Sequence, residues 1–517
     1  MIARPLSRRL PSANQAFGTK VLLRNGSGLL SFEDIQSSRH PFRRWQSQDD
    51  RISHTPSHAR KPRETHPEAP ITADPQSYQG FPANDRPKAR KTGRTLVLCF
   101  DGTSNHFKDD KNTNVVLLFG MLERNKPEKQ LVYYQTGIGT YTTPGFISGI
   151  SQKIAQLMDE AFAWYLQDHV MGGYKFLMDT YQEGDKICLF GFSRGAYTAR
   201  ALAAMLYRVG LLPPRNAEQV PFAYTIFKEA SEEIKIWKKD RNDPRGSLSS
   251  NFRRTFSRKV DIELVGIWDT VCSVGFIPHA LPNTRTNRIV KHVRHALALD
   301  ERRARFEASY WNPGPTSQDV IGEEKKNGQR GLKDSERTVE EVWFAGGHGD
   351  VGGGWQGLRQ ESQLSRIPLR WMIREAKKCT DAIVWDENAL RAFRVNKPDS
   401  SDVEGLAKYI EQERQDALSK FHSAFTECSH RFFWRLLEVM PLLTPVNMWG
   451  YDLNWFRRPH WFRAREIREP TPDRPTKVHS SVKTRLKHLP GGYVNAAKWD
   501  PQKTEFVDEW AIPKDAK

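Results

Sequence analysis

Residues 186 to 206 read KICLFGFSRGAYTARALAAML, an apolar segment that passes through Gly-Phe-Ser-Arg-Gly into an alanine-rich segment. The apolar part predicts a buried strand, and the part that begins at Ala196 predicts a helix. A G-x-S-x-G turn between a strand and a helix is typical of a nucleophile elbow, in which the serine lies on a sharp, strained turn. Gly191 and Gly195 fit this interpretation, because side chains at those positions would collide with the neighbouring strand and helix. The stretch therefore predicts Ser193 as a nucleophile.

Four further apolar runs repeat the strand pattern, at 96 to 100, 130 to 137, 261 to 269 and 339 to 347. Helical character lies between and after them, most clearly at 151 to 181 and 364 to 378. Alternating buried strands and helices predict an α/β fold, a mostly parallel sheet with helices on both faces. Together with the G-x-S-x-G turn, this pattern is typical of an α/β-hydrolase-like fold. The polar stretches at 239 to 258 and 312 to 336 are predicted as loops.

A serine nucleophile needs a base and an acid that orients the base, and in this fold they follow the serine in the order acid, then histidine. Asp269 ends the run ELVGIWD, and His348 follows the run EVWFAGG. Because open α/β sheets gather their functional groups at the carboxyl ends of the strands, both side chains are expected at the same edge as Ser193. We therefore predict His348 as the base and Asp269 as the acid.

Other interpretations of these residues remain open from the sequence. Asp269 fits a turn-capping role, and His348 fits a structural role in the glycine-rich loop GGHGDVGGG. The stretch KHVRHALALDERRARF offers His292 and His295 as alternative bases and Asp300 as an alternative acid.

Two backbone groups are candidates for stabilising an oxyanion. The first is the N–H of Arg194, which directly follows the nucleophile at the start of a predicted helix. The second is Gly102 in CFDGTSN, at the end of the first predicted strand; a turn without a catalytic part explains that stretch equally well.

No cofactor and no metal ion are expected. The loop GGHGDVGGG lacks the G-x-x-x-x-G-K-[ST] pattern of a phosphate-binding loop, and no histidine and cysteine cluster has the spacing of metal ligands. The chain has five widely spaced cysteines without a CxxC pair, which is typical of a reducing compartment.

The positive charge of the chain is concentrated at its start. Residues 1 to 92 hold 16 Lys/Arg and 8 Asp/Glu, a net charge of +8 out of +18 for the whole chain. This Ser-, Pro- and Arg-rich region is predicted to be disordered, and its first 30 residues also resemble a mitochondrial targeting segment. An intracellular, cytoplasmic protein is otherwise expected. The basic charge favours peripheral contact with anionic membranes, whereas no motif supports nucleic-acid binding.

The character of the chain changes after about residue 380, where 7 of the 15 tryptophans lie. Residues 93 to 380 are predicted as a catalytic domain. Residues 381 to 517 are predicted as a helical, aromatic-rich extension that packs on this domain or acts as a lid, with its densest aromatic cluster at 432 to 462. Oligomeric state is not determined by the sequence.

The blocks LVLCFDGTSN, YYQTGIGT, GDKICLFGFSRGAYTARALAAML, GIWDTV, HALALDERRARF and EVWFAGGHGDVGGG resemble a fungal and bacterial α/β-hydrolase domain family that includes the type VI secretion phospholipase effectors. The resemblance covers roughly residues 94 to 378. It implies that Ser193 is the nucleophile and His348 the base, and it leaves Asp269 and Asp300 as candidate acids.

Two functions follow from this sequence. The first is a serine hydrolase that cleaves a carboxylic ester, including a lipid or phospholipid acyl ester, through an acyl-enzyme. The second is a non-catalytic scaffold that binds lipid or protein on a hydrolase fold.

Overall fold

The computed structural model describes residues 93–102, 105, 107–137, 152–239, 247–271, 281–303, 306–311, 337–357, 360, 362–399, 401–422, 443–448, 451–456, 463–465, 467, 475–489, 493, 495, 497, 499 and 503–507. The predicted disordered or targeting region 1 to 92 and the predicted loop 312 to 336 lie outside these residues.

Ten strands occur within the described part of the chain: β1 (Thr95–Phe100), β2 (Gln130–Gln135), β3 (Lys186–Phe192), β4 (Ile262–Trp268), β5 (Val290–Ala298), β6 (Thr338–Phe344), β7 (Leu443–Met448), β8 (Tyr451–Phe456), β9 (Thr476–His479) and β10 (Thr504–Val507). Eight of them form one sheet in the order β10-β9-β6-β5-β4-β3-β1-β2, and every neighbouring pair in it is parallel. The remaining two, β7 and β8, form a separate antiparallel pair.

The α-helices of the same described residues are α1 (Asn114–Gly120), α2 (Gln152–Thr180), α3 (Arg194–Val209), α4 (Val220–Lys239), α5 (Leu248–Phe256), α6 (His348–Gly352), α7 (Arg366–Cys379), α8 (Glu387–Ala392), α9 (Val403–Leu418) and α10 (Ser480–His488).

Helices cover both faces of the sheet. Strand β1 shows the alternation: Leu96, Leu98 and Phe100 belong to the core cluster that also contains residues of α2, α3, α4 and α5. Val97 and Cys99 belong to the opposite cluster, with residues of α1, α7 and α8. Because both faces are buried, the central strands are apolar without interruption, as the sequence of β1 and β3 predicts. The structure therefore confirms the predicted fold class.

The structure differs from the sequence-based expectation in three parts of the chain. Strand β5 was not predicted. The stretch 239 to 258, predicted as a loop, contains α5, whose N-cap hydroxyl at Ser247 accepts a hydrogen bond from Ser250 N–H at 3.2 Å and whose Phe252 is buried. After residue 380 the chain is not only helical: β9 and β10 extend the sheet beyond β6, and β7–β8 lies within the aromatic cluster predicted as a helix or lid. The predicted extension and catalytic domain also fall within one compact unit, Lys88–Lys517.

The parallel sheet determines where the candidate residues lie. Ser193 follows β3, Asp269 follows β4, and His348 follows β6 by a short loop. These strands run in the same direction, so their carboxyl ends bring the three residues to one edge of the sheet.

Candidate active site

Ser193 lies on a strained turn between β3 and α3. Its φ and ψ are 58° and −121°, a positive φ that a residue with a side chain rarely adopts. A Cβ on Gly191 would come within 2.6 Å of the carbonyl oxygen of Gly195, and a Cβ on Gly195 would collide with the carbonyl oxygens of Phe100 and Asp101. The two glycines thus permit the close approach of strand and helix that presents the serine, and backbone strain of this kind is typical of functional sites.

The hydroxyl of Ser193 contacts a histidine ring across the sheet edge. Its Oγ lies 2.8 Å from Nε2 of His348, and both side chains are largely buried. His348 is the first residue of α6, directly after the glycine-rich loop that follows β6. The 2.8 Å separation is within the range in which a hydroxyl donates its proton to a neutral imidazole nitrogen.

The other ring nitrogen of His348 contacts Asp269. Nδ1 lies 2.6 Å from Oδ2 of this aspartate, which is fully buried at the end of β4. Asp269 also has a positive φ, of 40°, and its Oδ1 accepts a hydrogen bond from Ala298 N–H at 2.8 Å. With Nδ1 donating to the carboxylate, Nε2 is left as the acceptor that faces Ser193.

Two aromatic rings hold the imidazole from its sides. The ring of Phe192 lies 4.6 Å from the His348 ring, centroid to centroid, and the ring of Phe306 lies 4.8 Å away in an edge-on arrangement. This packing restricts rotation of the imidazole and excludes water from its faces.

A buried arginine, Arg465, also contacts the Asp269 carboxylate. Its Nη1 lies 2.6 Å from Oδ1, and its Nη2 lies 3.0 Å from Oδ2, so the guanidinium binds the carboxylate in a bidentate manner. No sequence motif indicates this arginine, which lies 196 residues after the aspartate.

The charges of the site follow from burial and pairing. Burial alone would raise the pKa of Asp269, but Arg465 and His348 together hold this pKa well below its ordinary value, so the carboxylate is ionised. Burial lowers the pKa of His348 below its ordinary value of 6.5, more than Asp269 raises it, and the imidazole is neutral at neutral pH. Hydroxyl, neutral imidazole and carboxylate arranged in this way can transfer a proton from the serine to the histidine.

The alternative bases lie elsewhere and have structural contacts. In His295, Nδ1 lies 2.9 Å from Oε1 of Glu341, and Nε2 accepts a hydrogen bond from Thr270 N–H at 3.2 Å. In His292, Nδ1 lies 2.8 Å from Oγ1 of Thr338. Both ring nitrogens of His295 are therefore occupied within the sheet, and His348 is the histidine that reaches Ser193.

The alternative acid, Asp300, belongs to a set of carboxylates that hold the loop before His348. Three consecutive N–H groups of this loop each donate to one of them: Gly346 to Asp300 at 2.7 Å, Gly347 to Asp350 at 3.0 Å, and His348 to Glu301 at 3.2 Å. Asp300 also accepts a hydrogen bond from the Tyr493 hydroxyl at 2.5 Å. Because the amides of this loop are bonded to carboxylates of the same chain, the loop positions His348, and Asp269 is the acid that holds its ring.

The backbone near Ser193 contains one expected and one unexpected feature. Arg194, the residue after the serine, is the first residue of the 16-residue α3, where backbone N–H groups and the helix dipole favour negative charge. The N–H of Gly102, predicted as a second oxyanion donor, instead donates to Oδ1 of Asp101 at 2.7 Å. The side-chain amide of Asn105 lies close to both Gly102 and Ser193. A Cβ added to Gly102 would lie 2.9 Å from Nδ2 of Asn105 and 3.2 Å from Cβ of Ser193.

Within the described residues, no group of three or more His, Cys, Asp or Glu side chains is placed to hold a metal ion. Nor does any helix of that part of the chain combine the length and apolar character needed to cross a membrane. Burial raises the pKa of Cys99 and of Cys188, so both thiols stay protonated at neutral pH.

A parallel sheet with a serine at a strand-to-helix turn, and an aspartate and a histidine after later strands, defines an α/β-hydrolase fold. A family model described as "T6SS, Phospholipase effector Tle1-like, catalytic domain" matches residues 94–375. The chain belongs to this family.

The individual proteins that resemble the chain share low sequence identity with it. The chain is 28% identical over 559 residues to the uncharacterized protein YEL023C of Saccharomyces cerevisiae, covering 77% of this chain and 79% of the yeast protein. Among solved structures it overlaps an uncharacterized protein from Pseudomonas aeruginosa (18% identity, 63% of this chain and 53% of that one, TM-score 0.32). It also overlaps the Tle1 effector bound to the VgrG spike of the type 6 secretion system (13% identity, 66% and 83%, TM-score 0.33). The chain thus spans about half the length of the Pseudomonas protein.

Proposed function

We propose that this chain is a serine hydrolase that cleaves a carboxylic ester, with a lipid or phospholipid acyl ester as its substrate. The observation that carries the proposal is the continuous contact from Ser193 Oγ to His348 Nε2 at 2.8 Å and from His348 Nδ1 to Asp269 Oδ2 at 2.6 Å. A strained serine paired with a neutral, oriented histidine is the arrangement that nucleophilic acyl transfer requires.

In the first half of the reaction, Ser193 Oγ attacks the acyl carbonyl carbon while its proton passes to Nε2 of His348. The tetrahedral intermediate then collapses as the bond between the acyl carbon and the alcohol oxygen breaks. His348 returns the proton to that oxygen, the alcohol leaves, and the acyl group stays on the serine.

In the second half, water attacks the acyl carbon, and His348 accepts a proton from the water. The bond between the acyl carbon and Ser193 Oγ breaks, the serine recovers its proton from His348, and the carboxylic acid leaves. Asp269 keeps its negative charge throughout and stabilises the imidazolium that forms in each half.

Two donors serve the oxyanion in this proposal. One is the backbone N–H of Arg194 at the start of α3, as the sequence predicts. The other is the side-chain amide of Asn105, which replaces the predicted Gly102 N–H. A turn fixes the backbone of Asn105, with its N–H donating to Gly102 O at 3.0 Å and its carbonyl oxygen accepting from Gly137 N–H at 2.7 Å.

Asn105→Ala is expected to lower kcat by about 10²–10³-fold with little change in KM, the usual effect of losing one oxyanion donor. The matched control is Asn112→Ala, because Asn112 lies in the same segment and bonds to the backbone of Lys108 instead. Steady-state kinetics on a soluble ester would measure both. A kcat for Asn105→Ala equal to that of the control would remove Asn105 from the reaction.

Two observations support a lipid substrate, one of them from the family description, which names a phospholipase effector. The other is the positive charge of Arg194, which directly follows the nucleophile. Burial and the neighbouring Arg303 lower the pKa of Arg194 only to about 10, so its side chain stays charged at neutral pH. We propose that this charge and the basic N-terminal region favour an anionic lipid surface.

The direct test is ester hydrolysis by the full chain between pH 5 and 9. We expect p-nitrophenyl butyrate to be hydrolysed, and fatty acid to be released faster from phosphatidylglycerol vesicles than from phosphatidylcholine vesicles. Because His348 must be neutral to accept a proton and its pKa lies below 6.5, kcat/KM should be constant near neutral pH and fall only as the pH drops through that lower pKa.

Binding of the folded chain to vesicles without hydrolysis of any of these esters would contradict the proposal and favour the scaffold. Hydrolysis of the soluble ester alone would retain the serine hydrolase and remove the lipid substrate.

A further inference from the structure

Among the described residues, Arg465 is the one cation that contacts the Asp269 carboxylate, and it lies 196 residues after Asp269 in the sequence. Both carboxylate oxygens are bonded to its guanidinium, at 2.6 Å and 3.0 Å. The arginine is 8% exposed and the aspartate 0%, so water does not screen the pair.

The position of the guanidinium is itself fixed by backbone groups. Nη1 also donates to the carbonyl oxygen of Ala298 at 3.0 Å, and Nε donates to that of Phe306 at 2.8 Å, to which Nη2 donates as well. Ala298 ends β5, and Phe306 packs against the His348 ring. The same arginine therefore ties the end of β5, the ring-packing loop and the Asp269 carboxylate into one cluster.

Each carboxylate oxygen then has two donors. Oδ1 accepts from Ala298 N–H and Arg465 Nη1, and Oδ2 accepts from His348 Nδ1 and Arg465 Nη2. A carboxylate held on all sides cannot rotate about its χ2 bond without losing charge-assisted hydrogen bonds. The direction in which it holds the imidazole is therefore set by the arginine.

We propose that Arg465 is a positioning residue for this site: it fixes the Asp269 carboxylate against His348 and offsets part of its charge. The inference rests on the proposed function, since it assigns a part in the same reaction. It also makes the C-terminal segment that carries Arg465 a component of the active site.

The offset of charge has a measurable consequence. An uncompensated Asp269 carboxylate stabilises the protonated form of His348 more strongly, so removal of the arginine charge raises the pH at which His348 becomes protonated. The other charged groups that face His348 or its loop are Glu301 at its backbone N–H, Arg303 beside Glu301, Asp300 at Gly346 N–H, and Asp350 within α6. His422 contacts Asp350, and the charge of Arg485 acts on Asp300 and Asp350. None of these is changed in the variants below.

The test compares Arg465→Met, Arg465→Lys and Arg258→Met in the full chain. Arg258 is the matched control, because its guanidinium donates to the backbone carbonyls of Met178, Tyr181 and Leu212, and Met178 and Tyr181 precede β3, at the opposite end of this strand from Ser193. Hydrolysis of p-nitrophenyl butyrate is measured as a function of pH and normalised to the folded fraction of each variant, taken from its thermal unfolding curve, so that unfolded chains do not count.

Arg465→Met is expected to lower kcat by about 10²-fold, the loss that a misplacement of about 1 Å can cause. It should also move the acid limb of the kcat/KM profile to higher pH, by about one unit. Arg465→Lys keeps the charge but not the bidentate geometry, so kcat should fall while the acid limb stays in place. Arg258→Met should change the thermal midpoint and leave both kinetic quantities at the values of the parent chain.

The inference is overturned if Arg465→Met keeps the parent kcat and acid limb, or if Arg258→Met changes them equally. Should Arg465→Met not fold, an unchanged kcat for Arg465→Lys overturns it in the same way. A parent chain that shows no turnover dependent on Ser193 contradicts instead the proposed function, and with it the reaction in which Arg465 is placed.

Discussion

Replacing Ser193 with alanine is expected to lower ester hydrolysis by about 10⁶-fold in kcat, the loss found when a serine nucleophile is removed from a triad. The hydroxyl is the group that His348 contacts at 2.8 Å, and its removal leaves no group to form the acyl-enzyme. The fold should be retained, because the strained backbone of the turn is permitted by Gly191 and Gly195 and not by the hydroxyl. Hydrolysis rates and a thermal unfolding curve would measure the two effects separately.

The matched control is Ser309→Ala. Ser309 is also buried, but its hydroxyl has no hydrogen-bond partner in the described part of the chain. This variant should hydrolyse esters at the rate of the parent chain. A Ser193→Ala protein that retained more than a small fraction of the parent rate would show that another group performs the attack.

Replacing Asp269 with asparagine is the second large change, and it should affect both catalysis and stability. An asparagine in this place can donate a hydrogen bond to Nδ1 and so favour the wrong histidine tautomer, a change that lowers kcat by about 10⁴-fold in a serine triad. It also leaves Arg465 as a buried cation without its carboxylate, a loss that costs about 3–5 kcal/mol in the free energy of unfolding. Kinetics and denaturant unfolding would check the two effects.

Asp300→Asn separates the two candidate acids. Asp300 is likewise buried and follows a strand, but it bonds to Gly346 and Tyr493 rather than to the His348 ring. We expect this variant to lose stability while it keeps a kcat within about tenfold of the parent, since it disturbs the loop before His348 only indirectly. If Asp300→Asn lost more activity than Asp269→Asn, the assignment of the acid would have to be reversed.

The sheet could largely be predicted because its central strands are buried on both faces and read as uninterrupted apolar runs. Strand β5 escaped this criterion because Arg294 and His295 lie within it. The structure shows how these polar side chains are accommodated: Nε of Arg294 donates to Oε2 of Glu375 at 2.7 Å, and His295 pairs with Glu341 at 2.9 Å. Such partners lie tens of residues away, so no local pattern indicates that these residues can be buried.

Strands β9 and β10 were missed for a different reason. Each has four residues, Thr476–His479 and Thr504–Val507, which is too short to show a period, and they become strands by pairing with the edge of a sheet that already exists. The aromatic cluster at 432 to 462 lies mostly outside the described residues, and its role as a lid stays a prediction.

The candidate site also contains residues that the sequence indicates and residues that only the tertiary structure brings together. Ser193, His348 and Asp269 were predictable as a group because chain order and strand-end placement are visible in the sequence. Arg465 was not, because a bidentate ion pair across 196 residues depends on the tertiary structure alone. The Gly102 N–H was predicted as an oxyanion donor from its position at the end of a strand. The three-dimensional structure shows that the carboxylate of the preceding Asp101 accepts its hydrogen bond instead.

The most direct measurement of the central claim is mass spectrometry of the full chain after reaction with a fluorophosphonate probe at pH 6 to 9. An activated serine attacks the phosphorus and releases fluoride, so we predict one phosphonyl group per chain, located on Ser193. The modification should be absent from Ser193→Ala and strongly reduced in His348→Ala, and it should persist in Ser309→Ala. A well-folded parent chain that remains unmodified over this range, or that is modified at another residue, would contradict the assignment of Ser193 as the nucleophile.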